Sequence, residues 1–193
     1  MLYIVATPIG NLEDITLRAI RILKEVDLIA AEDTRTSGIL LKKYEITTRQ
    51  TSFHAFSDEK KLAEILELLQ TGKSVALISD AGTPGISDPG YILIKAARDA
   101  GIKVVAIPGP SAFLTALSAS GMPINHFVYL GFLPMKKGRQ TLLKKLQEEE
   151  KTIVFYESPH RILKTLQEFA NYFPERKLVI ARELTKIYEE FVE

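Results

Sequence analysis

The sequence predicts an α/β fold in which parallel strands alternate with helices. Short runs rich in β-branched and aliphatic residues alternate with segments of helical periodicity along almost the whole chain. Several loops that carry glycine and proline follow the predicted strands directly. The chain has 193 residues, of which 46% are hydrophobic and 25% charged, so it is long enough for a core and for one or two domains.

Seven strands and four helices follow from these patterns in chain order. The predicted strands are 2–6, 28–31, 74–79, 103–107, 127–132, 152–156 and 178–181. A first helix has its apolar residues between 15 and 26 after the candidate cap Asp14, and a second has them between 62 and 69 before the stop residue Gly72. Gly101 ends a third helix, and Ser111 is the candidate cap of a fourth.

A domain boundary is predicted in the segment SASGMPIN, residues 118–125, because it is rich in turn formers and separates two groups of strands. This gives an N-terminal α/β domain over 1–119 and a C-terminal α/β domain over 124–193. The sequence stops in an amphipathic segment, ELTKIYEEFVE, that has no helix cap. We therefore expect the C-terminal domain to be incomplete.

Composition excludes several classes of function. The net charge of +1 creates no global field for nucleic acid or membrane, so an RNA partner requires a local patch. Without cysteine there are no disulfides, thiolate nucleophiles or cysteine-rich zinc sites, and the three histidines lack metal-ligand spacing. The N-terminus has no basic region, and its apolar run is too short for a signal peptide or membrane span. We expect a cytoplasmic protein without a metal or membrane partner.

Three loops at the carboxyl ends of predicted strands are candidates for a ligand site, since ligands of open α/β sheets bind at that edge. They are TPIGNLED at 7–14, SDAGTPGISDP at 79–89 and PGPSA at 108–112. None matches the G-x-G-x-x-G or P-loop fingerprint. In the second loop, glycines allow backbone to approach a flat ligand, and Asp80 can accept a hydrogen bond from it. Asp80 and Asp88 equally fit caps of turns or helix starts.

Candidate proton acceptors lie after the predicted strand 28–31 and at His54. Glu32 and Asp33 with Arg35, in AAEDTRTS, can position a hydroxyl substrate or transfer its proton. Alternatively, Asp33 is the N-cap of a helix that begins near Thr34, and Arg35 is solvated. His54 is a lone histidine among aromatic residues, which fits a structural role, although its intrinsic pKa suits proton transfer.

A basic run, PMKKGRQTLLKKLQ at 134–147, holds five cationic residues and no acidic one. Its first three cations lie in a loop, and Lys144 and Lys145 follow further along a helix, so together they can track phosphates. The alternative is a solvated helix face, which the following Glu148 to Glu150 favour.

Seven blocks in order along nearly the whole chain carry a family resemblance. They are LYIVATPIGNLEDIT, DLIAAEDTR, SDAGTPGISDPG, PGPSA, GFLP with KGR, TIVFYESPHR and ARELTK. Together they resemble the rRNA-modifying members of the tetrapyrrole-methylase-like (class III) methyltransferase family. The resemblance implies two α/β domains of the tetrapyrrole methylase type, a cleft between them for S-adenosylmethionine (AdoMet), and a homodimer. It implies 2'-O-methylation of a cytidine ribose in 16S rRNA of the small ribosomal subunit.

The resemblance also assigns roles to individual residues. The cofactor-binding residues it implies are Pro8, Asp80, Ala81, Gly82, Thr83, Ile86, Ser111, Ala112, Phe155, Tyr156, Arg182 and Glu183. It leaves the general base open among Glu32, Asp33 and His54. The expected RNA phosphate contacts are Arg35, Lys136, Lys137 and Arg139. Two alternatives remain, a tetrapyrrole-precursor C-methyltransferase with the same cleft and a non-catalytic nucleotide- or RNA-binding module; the blocks AAEDTR and FYESPHR favour RNA.

Overall fold

The computed structural model describes residues 1–54, 59–88 and 90–193, and the chain divides into the units Met1–Ala112 and Phe113–Glu193. The division precedes the fourth predicted helix, whereas the sequence placed the boundary after it. The reason is that the Phe113 ring, near the start of that helix, stacks on Tyr129 with ring centroids 4.5 Å apart. The helix therefore belongs with the strands of the second unit.

The first unit contains five strands and four α-helices within the described residues. They are β1 (Leu2–Val5), α1 (Leu17–Glu25), β2 (Leu28–Ala31), α2 (Thr34–Lys43), β3 (Gln50–Ser52), α3 (Glu59–Gln70), β4 (Val75–Ile78), α4 (Gly90–Asp99) and β5 (Val104–Ile107). A short 3-10 turn, Leu12–Asp14, precedes α1. The strands form one parallel sheet in the order β3-β2-β4-β1-β5.

Each face of this sheet has its own core. Ile22 of α1 and Leu41 of α2 pack in one buried cluster, whereas Ile65 of α3 and Leu93 of α4 pack in the other. The strand β4 lies between β1 and β2. The helix α4, which follows β4, therefore packs on the face opposite to that of α1 and α2, which follow β1 and β2. Adjacent loops that depart to opposite faces leave crevices beside them, which is where open α/β sheets bind ligands.

The second unit is described by itself. Its elements are α5 (Ala112–Ala119, which begins at the division), β6 (Phe127–Phe132), α6 (Arg139–Leu146), β7 (Thr152–Tyr156), α7 (Ile162–Tyr172), β8 (Ile180–Arg182) and β9 (Glu190–Val192). β6 and β7 are parallel, and β8 and β9 form an antiparallel pair. Leu143 on α6 and Thr165 on α7 are among its most buried side chains.

The alternation of strands and helices agrees with the sequence prediction, and the α/β fold class is confirmed. Two details differ. α1 is capped by Thr16, whose Oγ1 accepts from the Ala19 N–H at 3.1 Å, and Asp14 lies in the preceding 3-10 turn. β3, β9 and the helix α7 were not predicted. Within the described ranges, no helix combines the length and the apolar character needed to cross a bilayer.

Candidate functional site

Three loops at the carboxyl edge of the first sheet meet at Gly82. Thr7 and Gly82 exchange two backbone hydrogen bonds, of 2.9 Å to the Gly82 oxygen and 3.0 Å to the Thr7 oxygen. Gly82 has a φ of +81°, and a Cβ built on it would lie 3.5 Å from Ile9 and 3.7 Å from the Pro110 oxygen. The loops after β1, β4 and β5, which the sequence singled out, are therefore in mutual contact.

Hydroxyl side chains tie these loops together. Thr7 Oγ1 donates to the Ser79 carbonyl at 3.0 Å, and Thr83 Oγ1 donates to the Pro110 carbonyl at 3.1 Å. A Cβ on Gly109 would lie 2.9 Å from the Ala6 Cβ, so the third loop needs glycine to pass the first. Such ties hold a ligand-binding edge in one geometry before the ligand arrives.

Asp80 connects the β4 loop to the β2 loop. Its exposed side chain accepts a hydrogen bond from the Asp33 N–H through Oδ1 at 3.0 Å. Its own N–H donates to Glu32 Oε2 at 3.3 Å. Two hydrogen bonds thus join the loops after β2 and β4 at the sheet edge, although Glu32 and Asp80 are 48 positions apart in the chain.

Glu32 has the electrostatic character of a proton acceptor. Burial raises its pKa above the ordinary value, against the hydrogen bond from the Asp80 N–H. The negative charges of Asp80 and Asp88 raise the pKa further, while His54 acts in the opposite direction. A carboxylate with a raised pKa binds a proton more strongly and is therefore the better general base near neutral pH.

Asp33 has the opposite character. Its Oδ1 accepts from the Arg35 N–H at 2.8 Å at the start of α2, which confirms the N-cap interpretation. The Arg35 guanidinium pairs with Oδ2 at 2.6 Å, and hydrogen bonding to Arg35 lowers the pKa of Asp33 to about 2. Asp33 is thus a weak base. Arg35 itself is 90% exposed while it stays paired.

His54 lies exposed just beyond β3, at the same sheet edge as Glu32, because β3 and β2 are neighbours. The Phe53 N–H donates to the Ala31 carbonyl at 2.7 Å, which fixes the backbone just before His54. The sheet therefore gathers all three candidate bases at one edge. Their environments favour Glu32 over Asp33.

Asp88 accepts hydrogen bonds from backbone N–H groups in the turn before α4, as the alternative of a capping role predicted. Its Oδ1 accepts from the N–H groups of Gly85 and Gly90, both at 2.8 Å. A Cβ on Gly90 would lie 2.8 Å from that oxygen, so glycine is required where α4 begins. The remaining residues of the predicted cofactor set in the first unit differ in exposure: Ala81 and Ile86 are exposed, Ser111 and Ala112 are half-buried, and Pro8 is buried.

Phe155 and Tyr156 point to opposite faces of β7, as neighbours in a strand do. The Phe155 ring lies 5.3 Å from Phe169 of α7. The Tyr156 ring lies 5.7 Å from Tyr129 and 5.4 Å from Phe132, and burial raises its pKa to about 12. The second unit therefore does not present both predicted rings on one surface.

Arg182 and Glu183 form local ion pairs around the β8–β9 pair. Arg182 pairs with Glu190 across the two strands. Glu183, which has a φ of +52°, pairs with Lys186 at 3.2 Å. Both predicted cofactor residues are exposed, so these pairs contribute little to stability.

Arg139 is buried, whereas the sequence predicted that it contacts an RNA phosphate. Its side chain is only 10% exposed and donates to Glu168 at 2.7 Å, to Thr165 Oγ1 at 2.8 Å and to the Pro134 carbonyl at 3.1 Å. A guanidinium held by these partners is not available to an RNA phosphate. Lys136 and Lys137, in contrast, are exposed in the loop that Arg139 anchors.

Comparison with known proteins gives consistent results. The sequence profile of the tetrapyrrole (corrin/porphyrin) methylases matches residues 1–193. A protein from Thermotoga maritima named ribosomal RNA small subunit methyltransferase I is 52% identical over 98% of this chain and 86% of its own length. Proteins of the same name from Escherichia coli O157:H7 and Synechocystis are 53% and 52% identical, and the chain spans 66% and 69% of their lengths.

Solved structures share the fold at lower identity. A cobalt precorrin-4 methyltransferase of cobalamin biosynthesis superposes with a TM-score of 0.73 at 19% identity, covering 99% of this chain and 83% of its own. The uroporphyrin-III-C-methyltransferase of Thermus thermophilus gives 0.64 at 20% identity, with 98% and 82% coverage. These similarities show that the chain has the same fold. Methyltransferases of the tetrapyrrole methylase family use AdoMet. The family predicted from the seven sequence blocks is confirmed: the chain belongs to the tetrapyrrole (corrin/porphyrin) methylases.

Proposed function

We propose that this chain methylates the ribose 2'-hydroxyl of a cytidine in 16S rRNA of the small ribosomal subunit, with AdoMet as donor. The observation that carries the proposal is identity of 52–53% over nearly the whole chain to three relatives named for small-subunit rRNA methylation. The tetrapyrrole-modifying proteins, in contrast, are only 19–20% identical. The proposal includes a homodimer that acts in the cytoplasm.

The residues at the edge of the first sheet fit AdoMet. The molecule carries an amino group and ribose hydroxyls, for which the exposed Asp80 carboxylate is an acceptor. Gly82, with its positive φ and its two hydrogen bonds to Thr7, fixes the turn that carries the exposed Asp80 and Ala81. We propose that Asp80, Ala81, Gly82, Thr83 and Ile86 contact the donor.

AdoMet, when bound, would supply a methyl group activated by its sulfonium, with the ribose oxygen bonding to the methyl carbon while the neutral thioether S-adenosylhomocysteine leaves in line. The chain's own contribution is to align that oxygen and to accept its proton. Glu32, with its raised pKa, is the proposed acceptor of the hydroxyl proton. The Asp80 N–H at 3.3 Å holds the Glu32 carboxylate in place. Arg35, Lys136 and Lys137 are the proposed phosphate contacts.

The test is methyl transfer to small ribosomal subunits that lack the modification. The product is digested to nucleosides and analysed by mass spectrometry for 2'-O-methylcytidine. Uroporphyrinogen III and a precorrin serve as competing substrates. Transfer to a tetrapyrrole and not to rRNA would contradict the proposal in favour of the C-methyltransferase alternative.

Replacing Asp80 with alanine is expected to weaken AdoMet binding about tenfold or more, because a hydrogen bond to a charged acceptor is lost. Isothermal titration calorimetry measures the change. Asp99→Ala is the matched control, since Asp99 is an exposed carboxylate at the far end of α4. If both variants bind AdoMet like the parent protein, Asp80 does not belong to the site.

Reversing the charges of Lys136 and Lys137 to glutamate is expected to weaken RNA binding at low salt and to flatten its salt dependence. Each lost phosphate contact reduces the slope of log K against log salt by about 0.7 for single strands. Lys42→Glu with Lys43→Glu, an exposed pair in the last turn of α2, is the control with equal charge change. An equal slope in both double variants would show that only overall charge matters.

A further inference from the structure

A continuous set of aromatic rings, here called the ring surface, lies in the second unit. It consists of Phe113, Phe127, Tyr129, Phe132 and Tyr156. Successive ring centroids are 6.2, 4.5, 5.7 and 5.4 Å apart in the order Phe127, Phe113, Tyr129, Tyr156, Phe132. These separations are those of interacting rings, so the ring surface is one packed layer.

Phe132 reaches this layer through a bulge in β6. Tyr129 pairs with Val154, but Phe132 pairs with Tyr156, so β6 has one residue more than β7 over this stretch. Gly131, with a φ of +63°, lies within it. Without the bulge, strand alternation would place Phe132 on the face opposite to Tyr129. The extra residue turns the ring onto the Tyr129 face.

The ring that the bulge redirects is not buried. Phe132 is 55% exposed and Phe127 is 37% exposed, whereas Tyr129 and Tyr156 are half-buried beneath. Solvent therefore reaches an aromatic ring that is supported from one side by Tyr156. A large exposed ring on such a support is typical of a surface that contacts a partner.

Positive charge lies next to this exposed ring. The loop that follows β6 carries the exposed Lys136 and Lys137, and the Arg139 guanidinium holds its start by donating to the Pro134 carbonyl at 3.1 Å. The run 134–147 contains no carboxylate. A second copy of this chain packed on the same face about a two-fold axis would bring like charges together. A polyanion is the better complement.

We propose that the exposed end of the ring surface and the adjacent lysines bind a single-stranded segment of RNA. An unpaired base stacks on Phe132, and the neighbouring phosphates contact Lys136 and Lys137. Stacking on aromatic rings combined with backbone phosphate contacts is how proteins hold unpaired RNA. The inference rests on the proposed function, because it names the part of the rRNA substrate that this unit holds. Arg139 is then a positioning residue for the lysine loop.

The test compares Phe132→Leu with Phe132→Trp. Leucine keeps apolar volume but removes the ring, whereas tryptophan keeps a stacking surface. Fluorescence anisotropy measures the affinity for a short single-stranded RNA oligonucleotide and for a duplex of the same sequence. Phe132→Leu is expected to weaken single-strand binding about tenfold, and Phe132→Trp to retain it, with little change for the duplex. Leu163→Ala, which changes another exposed apolar side chain of this unit, is the control.

Three results would overturn the inference. The first is single-strand affinity of Phe132→Leu within about twofold of the parent protein. The second is dissociation of a dimer by this substitution, seen by sedimentation, which would make the ring surface an interface between copies. The third is a parallel loss of AdoMet affinity by calorimetry, which would assign Phe132 to the donor site. If Phe132→Leu loses RNA binding while the parent protein fails to methylate rRNA, the RNA site stands and the proposed reaction does not.

Discussion

Replacing Glu32 with glutamine is expected to lower kcat for methyl transfer about 100-fold or more, the usual contribution of a general base. Glutamine has the shape of glutamate and can still accept from the Asp80 N–H, so the loops should keep their arrangement. It cannot accept the proton of a ribose hydroxyl at neutral pH. The measurement is the initial rate on small ribosomal subunits at saturating AdoMet, with KM determined separately.

The same substitution should not destabilise the fold at neutral pH. The pKa of Glu32 in the folded protein lies above the ordinary 4.5 of the unfolded chain. At pH values between these two pKa values, Glu32 binds a proton more strongly in the folded state than in the unfolded state. The free energy of unfolding therefore falls as the pH rises through this interval. At higher pH the ionised Glu32 carboxylate destabilises the folded state. Glu32→Gln is therefore expected to unfold at an equal or higher temperature than the parent protein at neutral pH. This advantage should shrink as the pH falls toward the ordinary value.

Asp33→Asn is the matched control for Glu32→Gln. Asparagine also caps helices, so α2 should begin at the same residue. With its pKa lowered to about 2, Asp33 is a weak base, and the control should keep most of its activity. An equal loss of activity in both variants would mean that the total negative charge at the sheet edge matters more than proton acceptance by Glu32. Full activity of Glu32→Gln would exclude Glu32 and leave His54.

The sequence predicted most strands of the first unit because β1, β2 and β4 are short apolar runs that are buried on both faces. It did not predict β3, whose residues Gln50–Ser52 are all polar and lie at the sheet edge. Such a strand has neither an apolar run nor alternation to reveal it. Its pairing with β2 becomes visible only once the tertiary fold is known.

The position of the site could be predicted, but its internal contacts could not. Loops at the carboxyl ends of parallel strands meet at one edge in any open α/β sheet, which is why three were singled out. The contact between Glu32 and Asp80 depends on β2 lying beside β4, and local sequence does not specify strand order. The exposure of Phe132 depends on a one-residue bulge that periodicity does not reveal.

Replacing Arg139 with methionine is expected to lower the free energy of unfolding by about 3 kcal/mol, because it removes one cation from a buried group of ion pairs. The partner that suffers most is Glu157, whose side chain is 3% exposed and whose Oε2 lies 3.9 Å from the guanidinium. Arg161 also pairs with Glu157 at 2.6 Å, which places the loss at the lower end of the usual range. Urea unfolding followed by circular dichroism measures it.

Two further variants separate burial from charge. Arg139→Lys keeps the charge but cannot reach Glu168, Thr165 and the Pro134 carbonyl together, so we expect an intermediate loss. Lys144→Met removes an exposed cation from the same helix and should change stability by less than about 0.5 kcal/mol. If Arg139→Met is as stable as Lys144→Met but binds RNA less well, the guanidinium is a phosphate contact, as the basic run in the sequence suggested. A loss of stability found for Arg139→Met and not for Lys144→Met instead means that Arg139 stabilises the interior, because the carboxylates that hold it are Glu157, just after β7, and Glu168 on α7.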